Sequence, residues 1–135
     1  MKKLGGEART LRCCLKLFKF PWFSHFARKE HISDVALRQV ADQLESGLFE
    51  ADLGGGVYKK RLARPGRGKS AGYRLIIFFK RDGLTFFVYA YAKSRQENIL
   101  ASDLAAFKKL AGEVLEMTEE QIVAGLEAGR FEEIE

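Results

Sequence analysis

An α+β fold follows from three features of this 135-residue sequence. The expected architecture is a small twisted sheet, antiparallel or mixed, with N-terminal helices on one face and extra helices from the C-terminus. Three apolar, β-prone runs lie close together between Val57 and Lys93. Apolar residues recur at the helical spacing i, i+3, i+4, i+7 on either side of that block, first from Leu37 and again from Leu104. The pair Asp82–Gly83 is a hairpin signal that folds the last two runs onto each other.

Taken in order, residues 1–14 show no period and include Gly5–Gly6, which predicts a loosely ordered leader. CCLKLFKF, from Cys13 to Phe20, reads as a short strand stopped by Pro21. Trp22, Phe23 and Phe26 then form the apolar side of one or two helical turns. Ser33 caps a second helix whose first turn holds Asp34, favoured by the positive helix end. Leu37, Val40, Ala41 and Leu44 are its buried stripe, and Gly47 is placed to end it.

Gly54–Gly55–Gly56 interrupts the chain before a strand at Val57–Leu62. Ala63–Ala71 (ARPGRGKSA) is expected to be a mobile basic loop, too long for a tight hairpin. Strands follow at Gly72–Arg81 and Leu84–Ala92, rich in Ile, Phe, Val and Tyr. Ser102 is the expected N-cap of a helix striped by Leu104, Phe107, Leu110, Ala111, Val114 and Leu115. Thr118 with Gln121 fits a capping box for a last short helix ending near Gly129. LESGLFEA and LEAGRFEE share a pattern in which Gly ends a helix and Phe folds back onto it.

Composition narrows the function. Hydrophobic residues make up 47% and charged residues 30%, as in soluble globular domains. The longest apolar runs, LIIFF and LTFFVYAYA, fall well short of the roughly 20 residues that cross a bilayer. Lys2 and Lys3 are not followed by the apolar segment of a secretory signal. Cys13 and Cys14 are adjacent, so they are poorly placed to bridge each other, and no Cys or His has metal-ligand spacing. The expectation is a reduced, cytoplasmic protein with no cofactor, no metal and no membrane contact.

Charge is concentrated in one place. Residues 59–95 hold eleven Lys or Arg against the single acid Asp82, a local +10 in a chain of net +5. Residues 1–58 sum to +2 and residues 96–135 to −7. A sheet that gathers cations in this way suits a polyanion.

Strand parity reduces these cations to a smaller set. Lys59 and Arg61 share a face of the first central strand; Arg74, Ile76 and Phe78 share one of the second; Phe87, Tyr89, Tyr91 and Lys93 share one of the third. If these faces coincide, Lys59, Arg61, Arg74, Tyr91 and Lys93 converge at one end of the sheet. Cations hold phosphates and aromatic rings stack unpaired bases, which favours single-stranded RNA. Lys60 and Arg95 add to the basic surface. In the loop RPGRGKS, Arg64, Arg67 and Lys69 are candidate backbone-phosphate contacts. That loop is not a nucleotide-binding P-loop, because its spacing is not GxxxxGK[ST] and a strand follows it. His25 and His31 lie outside the basic block, so a His pair for acid–base cleavage is not offered there.

VYKKRLARPGRGKSAGYRLIIFF followed by FFVYAYAKSRQENI resembles the RelE/ParE superfamily of bacterial toxins, in its RelE/HigB-like branch. The resemblance spans about residues 15–100, with 101–135 a C-terminal helical extension of the same domain. It implies a RelE-like fold and inhibition of translation by ribosome-dependent, metal-free mRNA cleavage. Its implied partners are ribosome, mRNA and a cognate antitoxin, a helix-turn-helix DNA-binding protein. The family's strand lysines fall on Lys59 and Arg61, the arginine of its GYR segment on Arg74, and the lysine closing the third strand on Lys93. By that likeness Arg74 stabilises the phosphorane, while Lys59 and Arg61 hold substrate or help activate the 2′-hydroxyl. The arginine that often follows the closing lysine is Ser94 here, with Arg95 next, and the C-terminal tyrosine of some members is absent. Tyr91 is the substitute for stacking. Two alternatives compete: a non-catalytic ParE-like inhibitor binding a protein such as DNA gyrase, and a plain RNA-binding module.

Overall fold

The computed structural model describes residues 16–64, 68–81, 83–92 and 98–134. The expected leader over 1–14, both cysteines and Asp82 lie outside them. The described residues form an α+β fold of six strands and four helices. Strands β1 (Lys16–Lys19), β2 (Ala51–Gly54), β3 (Val57–Arg64), β4 (Gly68–Phe79), β5 (Leu84–Ala92) and β6 (Glu132–Glu133) make one sheet in the order β2-β3-β4-β5-β1-β6. β1 runs parallel to β5, and the other neighbours are antiparallel, so the sheet is mixed.

Two cores sit on opposite faces of this sheet. Helices α1 (Pro21–Lys29) and α2 (Asp34–Glu45) lie between β1 and β2 in the chain. They bury Phe23, Ala27, Leu37, Val40, Ala41 and Leu44 against Leu75, Ile77, Phe79 and Phe87. Helices α3 (Ala101–Val114) and α4 (Glu119–Glu127) bury Ala111, Val114 and Ile122 against Val57, Ile76, Phe78 and Phe86. Leu104, Phe107 and Leu110 pack at the margin of that second core, completing the stripe read from the sequence.

Local signals account for most boundaries. Pro21 opens α1, where its missing N–H is harmless, and the Ser33 hydroxyl accepts from the Ala36 N–H to cap α2. Gly47 follows α2 with φ +82°, the left-handed conformation that suits glycine. The Thr118–Gln121 capping box forms in full at α4. Gly129 ends the following turn, and Phe131 folds back to bury itself on that helix beside Gly125. Phe49 behaves differently from its counterpart: it meets Tyr58 of β3 edge-on, with ring centroids 4.9 Å apart.

Several expectations change. The segment 63–71 is largely strand: β3 continues to Arg64 and β4 starts at Gly68, pairing Arg64 with Gly68. A register shift between Leu62 and Arg64 makes this possible. Gly72 permits the close crossing there, since a Cβ on it would lie 2.2 Å from the Leu62 carbonyl oxygen. The glycine run does not merely break the chain; it turns β2 into β3, with an edge strand at Ala51–Gly54 that carries no clear alternation. Helix α3 begins at Ala101 with Leu100 as N-cap and no side-chain cap, so Ser102 lies inside the first turn. Phe87 faces the first core, opposite to Tyr89 and Tyr91. A bulge is the cause: Ile76 pairs with Tyr89 while Ile77 pairs with Phe87, leaving Val88 as the extra residue that resets the alternation.

Candidate functional site

The cationic end of the sheet is a consequence of register. Arg61 of β3 lies opposite Arg74 of β4, which lies opposite Tyr91 of β5, giving one row across three strands. The next row on the same face is Lys59, Ile76 and Tyr89. Helix α3 covers the apolar half of this face beyond them, with Phe107 against Phe78 and Tyr89 at ring distances of 6.2 and 5.9 Å. Four of the five expected residues, Lys59, Arg61, Arg74 and Tyr91, therefore share one face. Lys93 lies outside the described residues.

Two arginines directly opposed on a sheet repel each other. Glu50, immediately before β2, relieves this. Its Oε1 lies 3.0 Å from the Arg74 Nε and 4.0 Å from the Arg61 Nε. Its own N–H donates to the Lys59 carbonyl at 2.8 Å, which fixes the backbone that carries the carboxylate. The environments of the three differ: Arg74 is only 3% exposed, whereas the Arg61 side chain is 49% and that of Glu50 25% exposed. Lys59 donates to the Asn98 side chain at 3.1 Å, which ties the segment leading into α3 to the same end of the sheet.

Arg74 is the chemical centre of the arrangement. An arginine stays protonated, so its charge is held in a site where water screens little. Glu50 engages Nε, while Nη1 is buried and makes no hydrogen bond to any described residue. A buried charged donor without an acceptor is costly, and an anionic oxygen is the acceptor it suits best. With Lys59 and the half-exposed Arg61 beside it, this end of the sheet can hold a phosphate and stabilise added negative charge on it.

The remaining candidates are distributed differently. Lys60 lies opposite Leu75, on the face covered by α1 and α2. Arg64 and Lys69 belong to the facing ends of β3 and β4. Arg67 and Arg95 lie outside the described residues. Tyr91 is in the row but 4% exposed, so its ring offers little area for stacking. His25 is exposed on α1, and His31 occupies the turn after it with φ +60°. Among the described residues, no three of His, Cys, Asp and Glu are grouped to hold a metal ion.

Glu50 and Asn98 are absent from the set read from the sequence. Both come from outside the basic block, and long-range packing alone brings them to it. The one available hint was charge: a block with eleven cations and one acid must find its counter-charge elsewhere in the chain.

A family model described as "RelE toxin of RelE / RelB toxin-antitoxin system" matches residues 15–134. That span takes in α3 and α4. No curated protein and no solved structure matches the chain significantly. With nearly its whole length covered, and with an α+β fold of the kind the family adopts, the chain belongs to the RelE toxin family of toxin–antitoxin systems.

Proposed function

We propose that this toxin, of the HigB-like branch, inhibits translation by cutting mRNA on the ribosome without a metal ion, and that a cognate antitoxin, a helix-turn-helix DNA-binding protein, neutralises it. The observation that carries this reading is the Arg61–Arg74–Tyr91 row, in which a buried arginine keeps a donor that no described residue uses, beside the half-exposed Arg61. In the reaction the ribose 2′-oxygen attacks the adjacent phosphorus, forming a 2′-O–P bond. The P–O5′ bond breaks, leaving a 2′,3′-cyclic phosphate and a 5′-hydroxyl. The chemistry needs a proton taken from the 2′-hydroxyl, stabilisation of the phosphorane and a proton given to O5′.

Arg74 is assigned to the phosphorane, because its charge is preorganised and poorly screened. Arg61 holds the phosphate from the solvent side and cannot act as a base, since arginine does not give up its proton. Lys59 is left as the partner for the 2′-hydroxyl, and Lys93 is assigned to the same surface by family resemblance. The family match is to RelE toxins, which does not favour the gyrase-directed alternative.

The test is cleavage of a defined mRNA by purified protein on programmed ribosomes, with and without chelator. New 5′-hydroxyl ends within the ribosome-bound codon are expected under both conditions. Intact mRNA with growth arrest on induction would overturn the reading. The antitoxin part is tested by co-expression with the product of any adjacent short gene, which should restore growth and co-purify.

A further inference from the structure

We propose that Trp22 is a stacking platform for a nucleobase of single-stranded RNA, next to the phosphate held at Arg61 and Arg74. The proposal rests on RNA being the ligand of that row, and it adds a base-binding subsite that the cations do not supply. β1 pairs with β5 only from Leu84 to Phe87, so among the described residues 88–92 have no strand on their outer side. The Phe20 N–H donates to the Phe87 carbonyl at the end of that pairing. Pro21 then starts α1, and the first turn of the helix carries Trp22 over the open edge.

There the indole joins a ladder of rings leading to the cations. It stacks on Phe26 at 5.5 Å with 10° between planes, and meets Tyr89 at 4.7 Å with the rings tilted by 35°. Tyr89 is 6.2 Å from Tyr91, and Tyr91 lies opposite Arg74. The ladder places Trp22 within a nucleotide or two of the anion site. Exposure decides which ring is available: Tyr91 is 4% and Trp22 48% exposed. The packing on Phe26 and Tyr89 holds the indole in place, so a base can stack on it without first paying to order it. The adjacent row of cations favours a ligand with both a π-face and phosphates over a protein partner.

Trp22 is the only tryptophan in the chain, which makes it its own reporter. The full-length protein is titrated at low salt with an uncleavable 2′-O-methyl oligonucleotide and with an abasic oligomer of the same phosphate count. Indole fluorescence and the anisotropy of the labelled oligomers are read together. Both oligomers should bind, but only the base-containing one should quench Trp22. Trp22→Ala should weaken that oligomer roughly ten-fold and leave the abasic one unchanged, with Trp22→Phe intermediate. Three results would overturn the subsite and leave the RNA reading standing: binding without quenching, equal quenching by the abasic oligomer, or equal loss of both oligomers in Trp22→Ala. Failure of both oligomers to bind at low salt would overturn both.

Discussion

Replacing Arg74 by alanine separates what this residue does for the fold from what it does for the substrate. Truncating one partner of a buried ion pair costs about 3–5 kcal/mol when the other charge is stranded. Here the Glu50 side chain is 25% exposed and keeps Arg61 at 4.0 Å, which lowers that cost. The substitution also removes Nη1, a buried donor with no acceptor among the described residues, which lowers it further. A loss of about 1–3 kcal/mol follows, equivalent to a fall in Tm on the order of 5–10 °C for a chain of this size. Removing Glu50 as well takes away the stranded carboxylate, so Glu50→Ala combined with Arg74→Ala should recover part of the stability. Cleavage should respond otherwise. Loss of a donor preorganised on the transition state costs about 10²–10³ in rate, and the second substitution cannot restore it. Thermal denaturation followed by circular dichroism, alongside single-turnover cleavage on programmed ribosomes well below the lowest Tm, reads the two effects separately. Cleavage within a few-fold of wild type in Arg74→Ala would rule out a role for this residue at the phosphorane. So would cleavage that recovers with Tm in the double variant, because Arg74 would then act through stability alone.

Lys59 and Arg61, both less buried than Arg74, should each contribute to phosphate binding. Lys59→Ala and Arg61→Ala should each change stability by no more than about 0.5 kcal/mol and reduce the salt slope of single-stranded RNA binding by about 0.7, measured by anisotropy across a salt series. Lys60→Ala, on the opposite face beside Leu75, should leave that slope unchanged. Gly125→Ala tests the C-terminal core: its Cβ would sit 2.5 Å from the Phe131 ring, and Phe131 is 3% exposed. A destabilisation of about 1–3 kcal/mol in a denaturant melt is expected from overpacking, with RNA binding intact once the protein is folded.

Where the controlling interactions are local, the chain was legible. The Ser33 cap, the turn at Gly47, the Thr118–Gln121 box and the extent of β5 all stand as read, because each depends on residues a few positions apart. Parity also brought Lys59, Arg61, Arg74 and Tyr91 to one face. Where pairing with a distant strand decides the outcome, reading failed. β2 and β6 are short edge strands that form because β3 and β1 offer them partners. The RPGRGKS segment looked like a loop by composition, yet the β3–β4 ladder extends into it. Val88 resets the face of Phe87 through a bulge that no alternation pattern shows. The burial of Arg74 and its Glu50 partner belong to the same class, since their separation in sequence hides a 3.0 Å contact.

The most direct test of the central claim is mapping of mRNA 5′ ends after induction of the wild type and of the Glu50→Ala/Arg74→Ala variant. New 5′-hydroxyl ends inside translated codons are expected for the wild type, and their near absence for a variant that is folded and equally abundant. Growth arrest by the wild type with transcripts left intact, or undiminished cutting by the variant, would contradict that claim.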